Sequence, residues 1–448
     1  MTSRDRILHD SPGRTLWRLA VPNLAASLVQ SLMIVTEGWY AGYLGPTELA
    51  GAALVFPLFM ATMMLSAGAM GGAVAGAMAR AAGSGDDALA NAILRGAVLI
   101  AVVIGSLKGA LVVLFGPTLF VAMGGADAGL NAATEYVETL FPFIALVWVS
   151  NMLTGALRGT GDMLRPAAIT LLIVVSHLIL IVAQILTGAP FGFAGAGLAT
   201  LGAYAIGLIS LIWIWTDQRR AVRLSFSGWT ALMGVRRLLG NGLLAGSQTV
   251  MTISYSLIAT AAFGNIGAGW LAGYGIGVRL ELLIVPIIFG IGGAGMVATG
   301  TLLGAGRRQG AVRMGWLSAG SAAILVGSIG AVLSVWPTLW TGLFTSDAEI
   351  ATAAAQYLKI VGPCYAFFGL GLCLYFLSQG METLAVPVLG ALLRLVAVVV
   401  GLWGLSISGH LNPKEALFLL GAAMVFYGLF IAAGLFLGPW TSRAATRA

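Results

Sequence analysis

Charge is what this chain lacks most. Of its 448 residues 9% are Asp, Glu, Lys or Arg, against about 25% in an ordinary soluble domain. That is too little to cover a water-facing surface when 59% of the residues are hydrophobic and mean hydropathy is +0.97. Soluble folds, coiled coils and disordered chains are excluded, while a helical membrane protein, whose solvent is lipid, tolerates this composition. Cysteine is nearly absent. Cys364 and Cys373 lie nine residues apart in one apolar segment, which rules out a disulfide framework or a thiolate metal site and reads as two small core residues. Histidine is limited to His9, His177 and His410. There is no Walker loop, no HExxH and no GxSxG, so an internal ATPase or a familiar hydrolytic centre has no parts to build from. A net charge of +7 then reads as Arg-rich loops at a membrane, with no nucleic-acid partner.

What is present is length of apolar run. A helix needs about 20 apolar residues to cross the hydrocarbon. Between charged or turn-rich breaks the sequence offers twelve such segments: 16–44, 50–82, 91–116, 131–156, 166–187, 193–215, 238–264, 270–303, 311–335, 350–377, 385–408 and 415–438. Basic residues orient them. With the N-terminus inside, the inner segments collect Arg4, Arg6, Arg14, Arg18, Arg80, Arg95, Arg158, Arg165, Arg219, Arg220, Arg223, Arg236, Arg237, Arg307, Arg308, Arg313, Arg394, Arg443 and Arg447. The outer segments receive Lys108, Lys359 and Lys414, and Arg279 falls within a span. This asymmetry follows the positive-inside rule and places both termini in the cytoplasm. No cleavable signal is expected, because the first apolar run is too long for a signal h-region. An Arg-, Ala- and Gly-rich chain of this kind suggests a prokaryotic inner membrane.

The sequence repeats itself. LAGAALVFPL at Leu49 matches LAGYGIGVRL at Leu271, and Gly68 and Gly71 then fall on Gly290 and Gly293. DAGLNAATEYVETLFP at Asp127 parallels DAEIATAAAQYLKIVGP at Asp347, setting Tyr136 on Tyr357 and Pro142 on Pro363. RGTGDMLRP parallels QGMETLAVP, setting Gly159 on Gly380 and Pro166 on Pro387. Six helices per repeat is an even number, so both halves insert with the same orientation. The fold class expected is an all-α polytopic membrane protein, with twelve transmembrane helices in two six-helix bundles related by a pseudo-two-fold along the membrane normal. The boundaries expected are a cytoplasmic segment 1–15, a first bundle 16–215, a linker 216–237 holding Trp229 and Leu232, a second bundle 238–438 and a tail 439–448. Such proteins usually bind substrate between the bundles and alternate access by moving one against the other.

Ionisable residues inside spans are costly and are functional candidates by default. Glu37, in the first helix, lies about 30 Å along it from Leu16 by a 1.5 Å rise per residue, on the outer side of the midplane. An unpaired acid there is suited to taking up and releasing a proton as a pocket opens and closes; the alternative is a carboxyl that merely hydrogen-bonds a neighbour. Arg279 and Glu281 lie in the eighth helix. Two residues apart, they point about 200° away from each other, so each needs a partner elsewhere. Glu281 could recognise a cationic substrate or bind a proton as a second coupling group; the alternative is a buried ion-pair network holding the second bundle together. His177, in the fifth helix, is expected about a third of the membrane below Glu37 and carries less weight. Asn151, Gln184, Gln248, Tyr204 and Tyr255 are polar groups able to line a cavity or to bond between helices. The clusters GAMGGAVAG and GIGGAGMVATG have no preceding strand, so they read as small-residue packing faces and not as dinucleotide loops.

GYLGPTELAG after helix one, LRGTGDMLRP between helices four and five, GVRLELLIVP in helix eight and QGMETLAVP between helices ten and eleven stand in order and at characteristic spacings. From about Thr15 to Pro439 the chain resembles the multidrug and toxic compound extrusion (MATE) family. The resemblance implies a twelve-helix, two-lobed exporter that extrudes amphipathic, often cationic, compounds in exchange for inward Na⁺ or H⁺. Many members carry an Asp in helix one, five residues before the first Gly of a G-x-x-G turn, where this chain keeps the acid but one methylene longer. Here the turn is Gly42 to Gly45 and the matching residue is Glu37, so the resemblance implies a coupling role for it. Many members also place an Asn and an Asp in helix five, and this chain has no acid around Ser176 to Leu180. That departure favours H⁺ over Na⁺, which wants several oxygen ligands. The RLE of helix eight resembles part of the family and adds weight to Arg279 and Glu281.

The function expected is therefore a cation-coupled antiporter for amphipathic cations, acting as a monomer in the lipid bilayer without a cofactor beyond the coupling ion and without a metal centre. A lipid-linked oligosaccharide flippase of the same superfamily is the runner-up. It would want several cations along its cavity, where the sequence offers Arg279. An intramembrane enzyme stands third, because no nucleophile and base are paired at mid-depth.

Overall fold

The computed structural model describes residues 3–218, 221–224, 230–409 and 412–441. The readings placed on Arg219, Arg220, Trp229, His410, Arg443 and Arg447 lie outside these described residues. Among them all regular structure is helical, and twelve helices are long and apolar enough to cross a membrane. In chain order the spans are Pro12–Leu44, Pro46–Ser84, Asp87–Ala122, Asp127–Gly159, Leu164–Leu186, Ala194–Thr216, Ala231–Ile266, Ala268–Gly304, Arg308–Val335, Ala348–Met381, Ala385–Ile407 and Pro413–Leu437. Several reach 33 residues or more, well past the crossing minimum. Large apolar side chains such as Leu186 (81%), Trp213 (78%) and Leu437 (80%) stand open on the outside, as lipid-facing residues do.

Local chemistry sets where the helices start and stop. Asp86 and Asp347 cap their helices by accepting from Leu89 N and from Glu349 N and Ile350 N, and Asn412 does the same for Glu415 N. Gly45 and Gly267 occupy matching places in the two repeats, between spans one and two and between spans seven and eight. They hold φ of +146° and +154°, which a side chain rarely adopts. The aligned prolines act alike as well. Pro142 and Pro363 cannot donate a backbone N–H, and spans four and ten each tighten there into a three-residue 3₁₀ turn, Phe141–Phe143 and Gly362–Cys364.

The described residues form two compact units. The first comprises those of Met1–Leu8, Ala25–Leu243 and Gly304–Gly306, the second those of His9–Leu24, Leu244–Leu303 and Arg307–Ala448. A clean cut at 216–237 was expected, and two helix ends depart from it. The start of span one goes with the second unit, where the Asn23 amide donates to the carbonyls of Phe289 and Gly290, both at 3.1 Å. The start of span seven goes with the first unit, where Gly242 lies against the Met70 side chain. Of the expected linker, residues 221–224 dock on span three: Arg223 N donates to Asn91 Oδ1 at 2.9 Å and Asn91 Nδ2 to Ala221 O at 3.3 Å.

The repeat is visible in the packing of each unit. A methyl added to Gly51 would fall 2.9 Å from Ala132 Cβ, and one added to Gly273 would fall 2.5 Å from Ala353 Cβ. Small residues thus bring span two onto span four in the first unit and span eight onto span ten in the second, the close approach that favours helix association in lipid. One difference stands out. Residues Met64–Met70 of span two form a π-helical segment, whereas span eight is α-helical throughout. π-segments inside α-helices occur frequently at functional sites.

Candidate coupling and substrate sites

In the first unit four helices converge on Glu37. Its Oε1 accepts from Thr200 Oγ1 of span six at 2.7 Å and from the Tyr136 hydroxyl of span four at 3.3 Å. His177 Nε2 of span five lies 3.6 Å from the same oxygen, an ion-pair distance when the ring is protonated but too long for a hydrogen bond. The carboxylate keeps some access at 13% exposure, while His177 is fully buried. Two expectations are corrected here. Glu37 is not an unpaired acid, since two hydroxyls hold it. Nor does His177 lie below it. The depth estimate counted residues along each apolar run separately, and span one, at 33 residues, is longer than span five, at 23.

A polar thread leads away from this carboxylate. Tyr204, one turn beyond Thr200, donates to Met63 Sδ at 3.5 Å and accepts from Gln30 Nε2 at 3.2 Å. Asn151 Nδ2 donates to Ser66 Oγ at 2.8 Å and approaches Met63 Sδ at 3.9 Å. Ser66 sits in the π-segment, which follows directly after Met63. Lys108 Nζ completes the thread by donating to Thr62 Oγ1 at 2.6 Å. Lys108 was assigned to an outer segment; the structure puts it inside span three.

In the second unit the Tyr357 hydroxyl donates to Glu281 Oε1. Tyr357 is the repeat partner of Tyr136. The same tyrosine position thus serves a carboxylate in both units, although the acid comes from the first helix of one repeat and the second helix of the other. Arg279 turns elsewhere, its guanidinium 5.2 Å from the centroid of Phe344, as the two-residue spacing from Glu281 requires. Arg394, counted among the inner-loop cations, is a further correction. It lies in the middle of Ala385–Ile407, 4% exposed, with its guanidinium 4.2 Å from the ring centroid of Tyr255 and 4.8 Å from that of Tyr427. Gln248 Nε2 donates to the Tyr427 hydroxyl at 2.9 Å.

Of the residues singled out by sequence, His177 joins Glu37, and Tyr204 and Asn151 meet on Met63. Tyr255 and Gln248 gather around Arg394 and Tyr427, and Arg279 stands apart. Thr200, Tyr136, Tyr357, Lys108 and the role of Arg394 were missed. The repeat alignment had paired Tyr136 with Tyr357, and that pairing was the usable signal for both. Among the described residues no three His, Cys, Asp or Glu side chains cluster as a metal site would need.

A duplicated helical bundle with a tyrosine-held carboxylate inside each unit is built as a membrane transporter. The comparisons with known proteins agree. The MatE family model matches residues 22–183 and again 245–403, one match per repeat, and the chain belongs to this family of multidrug and toxic compound extrusion transporters. It is a multi-pass membrane transporter and not an enzyme. Among curated relatives it is 24% identical over 389 residues to an FAD transporter of Shewanella oneidensis, covering 84% of this chain and 83% of that protein. It is 27% identical over 381 residues to a probable multidrug resistance protein NorM of Bradyrhizobium diazoefficiens, covering 82% and 78%. Among solved structures, a transporter of the MOP superfamily from Pyrococcus furiosus superposes with a TM-score of 0.84 at 19% identity, covering 96% of this chain and 97% of that one. A MATE structure in a straight conformation gives 0.85 at 19% identity, covering 96% of both.

Proposed function

We propose that the chain is an inner-membrane antiporter, with both termini cytoplasmic, that exports amphipathic organic cations in exchange for protons. The observation that carries this reading is the Glu37 cluster: one carboxylate, two hydroxyls and an imidazole 3.6 Å away. A carboxylate and an imidazole exchange protons readily, and a hydroxyl can donate to the ionised form or accept from the protonated one. Na⁺ would need further oxygen ligands than this set supplies. Protonation of Glu37, together with Glu281 in the second unit, then favours the state that has released substrate outward. Deprotonation to the cytoplasm restores binding.

A lipid-linked oligosaccharide flippase would want cations converging on one cavity. Here Arg279 packs over Phe344 while Arg394 packs over Tyr255 and Tyr427. Proteoliposomes loaded with ethidium decide the matter. Export driven by a pH gradient and lost in Glu37→Gln is the result expected. Export driven by a Na⁺ gradient alone would overturn proton coupling, and failure with both gradients across several dyes would overturn drug export.

A further inference from the structure

Arg394 is a full charge within a membrane-spanning helix, where charges are costly. Its guanidinium is held chiefly by ring faces: Tyr255 at 4.2 Å, Tyr427 at 4.8 Å and Phe368 at 5.9 Å to the centroids. Its Nε is buried and has no hydrogen-bond partner among the described residues. No carboxylate oxygen among them lies within ion-pair distance of it. Three aromatic faces surround it, each able to attract a cation, and the buried, unpartnered Gln248 Oε1 belongs to the amide that donates to the Tyr427 hydroxyl.

We propose that this cage in the second unit is a binding site for a flat organic cation, and that Arg394 is its built-in occupant and competitor. A guanidinium is itself a planar, delocalised cation, so its seat displays the geometry that such a ligand would use. Arg394 stands on a long flexible stem and lacks a bidentate partner, so an incoming cation displaces it without breaking an ion pair. The cage deepens the export reading by assigning a substrate subsite. It also sets a threshold, because a ligand must outcompete the resident guanidinium.

The test is equilibrium binding of ethidium, without any gradient, to the full chain in nanodiscs, followed by fluorescence anisotropy. Arg394→Leu should tighten ethidium binding about tenfold, the effect of removing a competitor worth one or two cation–π contacts. Methylguanidinium should then compete with the dye in the variant far better than in the wild type. Tyr255→Leu added to Arg394→Leu should reverse most of the gain. Weaker ethidium binding in Arg394→Leu would overturn the proposal, as would fluorescein, an anionic dye, binding the wild type and being lost from the variant. Should Arg394→Leu not fold, Arg394→Lys keeps the charge but not the plane, and binding no tighter than wild type would equally sink it. Ethidium export by the wild type tests the other reading separately. Binding without export leaves the cage standing and removes the exporter; export with affinity unmoved by Arg394 does the opposite.

Discussion

The two units carry the same repeat and differ in where they keep charge. Both present a tyrosine from one aligned position, Tyr136 and Tyr357, and both use it to hold a carboxylate. In the first unit that acid is Glu37 of span one, with Thr200 and His177 as further neighbours. In the second it is Glu281 of span eight, with the caged Arg394 nearby. At the repeat offset Glu281 corresponds to Phe59, so the two acids do not occupy one aligned position. What the two repeats share is the tyrosine and the proline turn after it. The carboxylate reaches that hydroxyl from two different helices, which makes the tyrosine site the fixed element of the comparison.

The largest effects should come from the acids, and they should be unequal. Glu37→Gln is expected to abolish pH-driven ethidium export. Glu281→Gln should reduce it without abolishing it, because Glu281 accepts from the Tyr357 hydroxyl, whereas Glu37 gathers two hydroxyls and the His177 imidazole. Initial export rates in proteoliposomes check both, and equal loss in the two variants would break the distinction drawn between the units.

The tyrosines come next. A hydrogen bond to a charged group contributes about 1.5–3 kcal/mol, so Tyr136→Phe and Tyr357→Phe should each slow export by roughly 10- to 150-fold. If the tyrosine is the fixed element, the two losses should be similar despite the different helices of their acids. His177→Asn should cost less, a few-fold, since its 3.6 Å approach makes no hydrogen bond. A His177→Asn variant as inactive as Glu37→Gln would make the imidazole an obligate proton carrier and enlarge the first site.

How far the sequence foresaw this depends on whether the information was local. Span count was legible because each apolar run is written in one continuous stretch. The repeat was legible because both copies keep their glycines and prolines. Glu37 was legible because a lone acid in an apolar run is conspicuous. Its partners were not, since Thr200 and Tyr136 are ordinary residues until the fold brings spans four and six to span one. Arg394 was misread because a basic residue ten positions into a helix is placed by hydropathy equally well at a snorkelling end or in the interior. The exchanged ends of spans one and seven were invisible, since apolar surface facing lipid and apolar surface facing protein have the same composition.

The smallest effects concern packing, and they compare the units most directly. Gly273→Ala would set a methyl 2.5 Å from Ala353 Cβ, and Gly51→Ala one 2.9 Å from Ala132 Cβ. Overpacking of this kind costs about 1–3 kcal/mol, with Gly273→Ala the worse of the pair because its clash is closer and backbone of span ten lies at 2.8 Å behind it. Thermal unfolding in nanodiscs should therefore rank wild type above Gly51→Ala and Gly51→Ala above Gly273→Ala. Ala353→Gly should recover part of the loss in Gly273→Ala by removing the side-chain half of the clash, leaving the backbone half. Recovery to wild-type stability would mean that spans eight and ten can slide apart at little cost. Span two has its π-segment to absorb such a shift and span eight, α-helical throughout, has none. The same rescue by Ala132→Gly in Gly51→Ala is for that reason expected to be the more complete of the two.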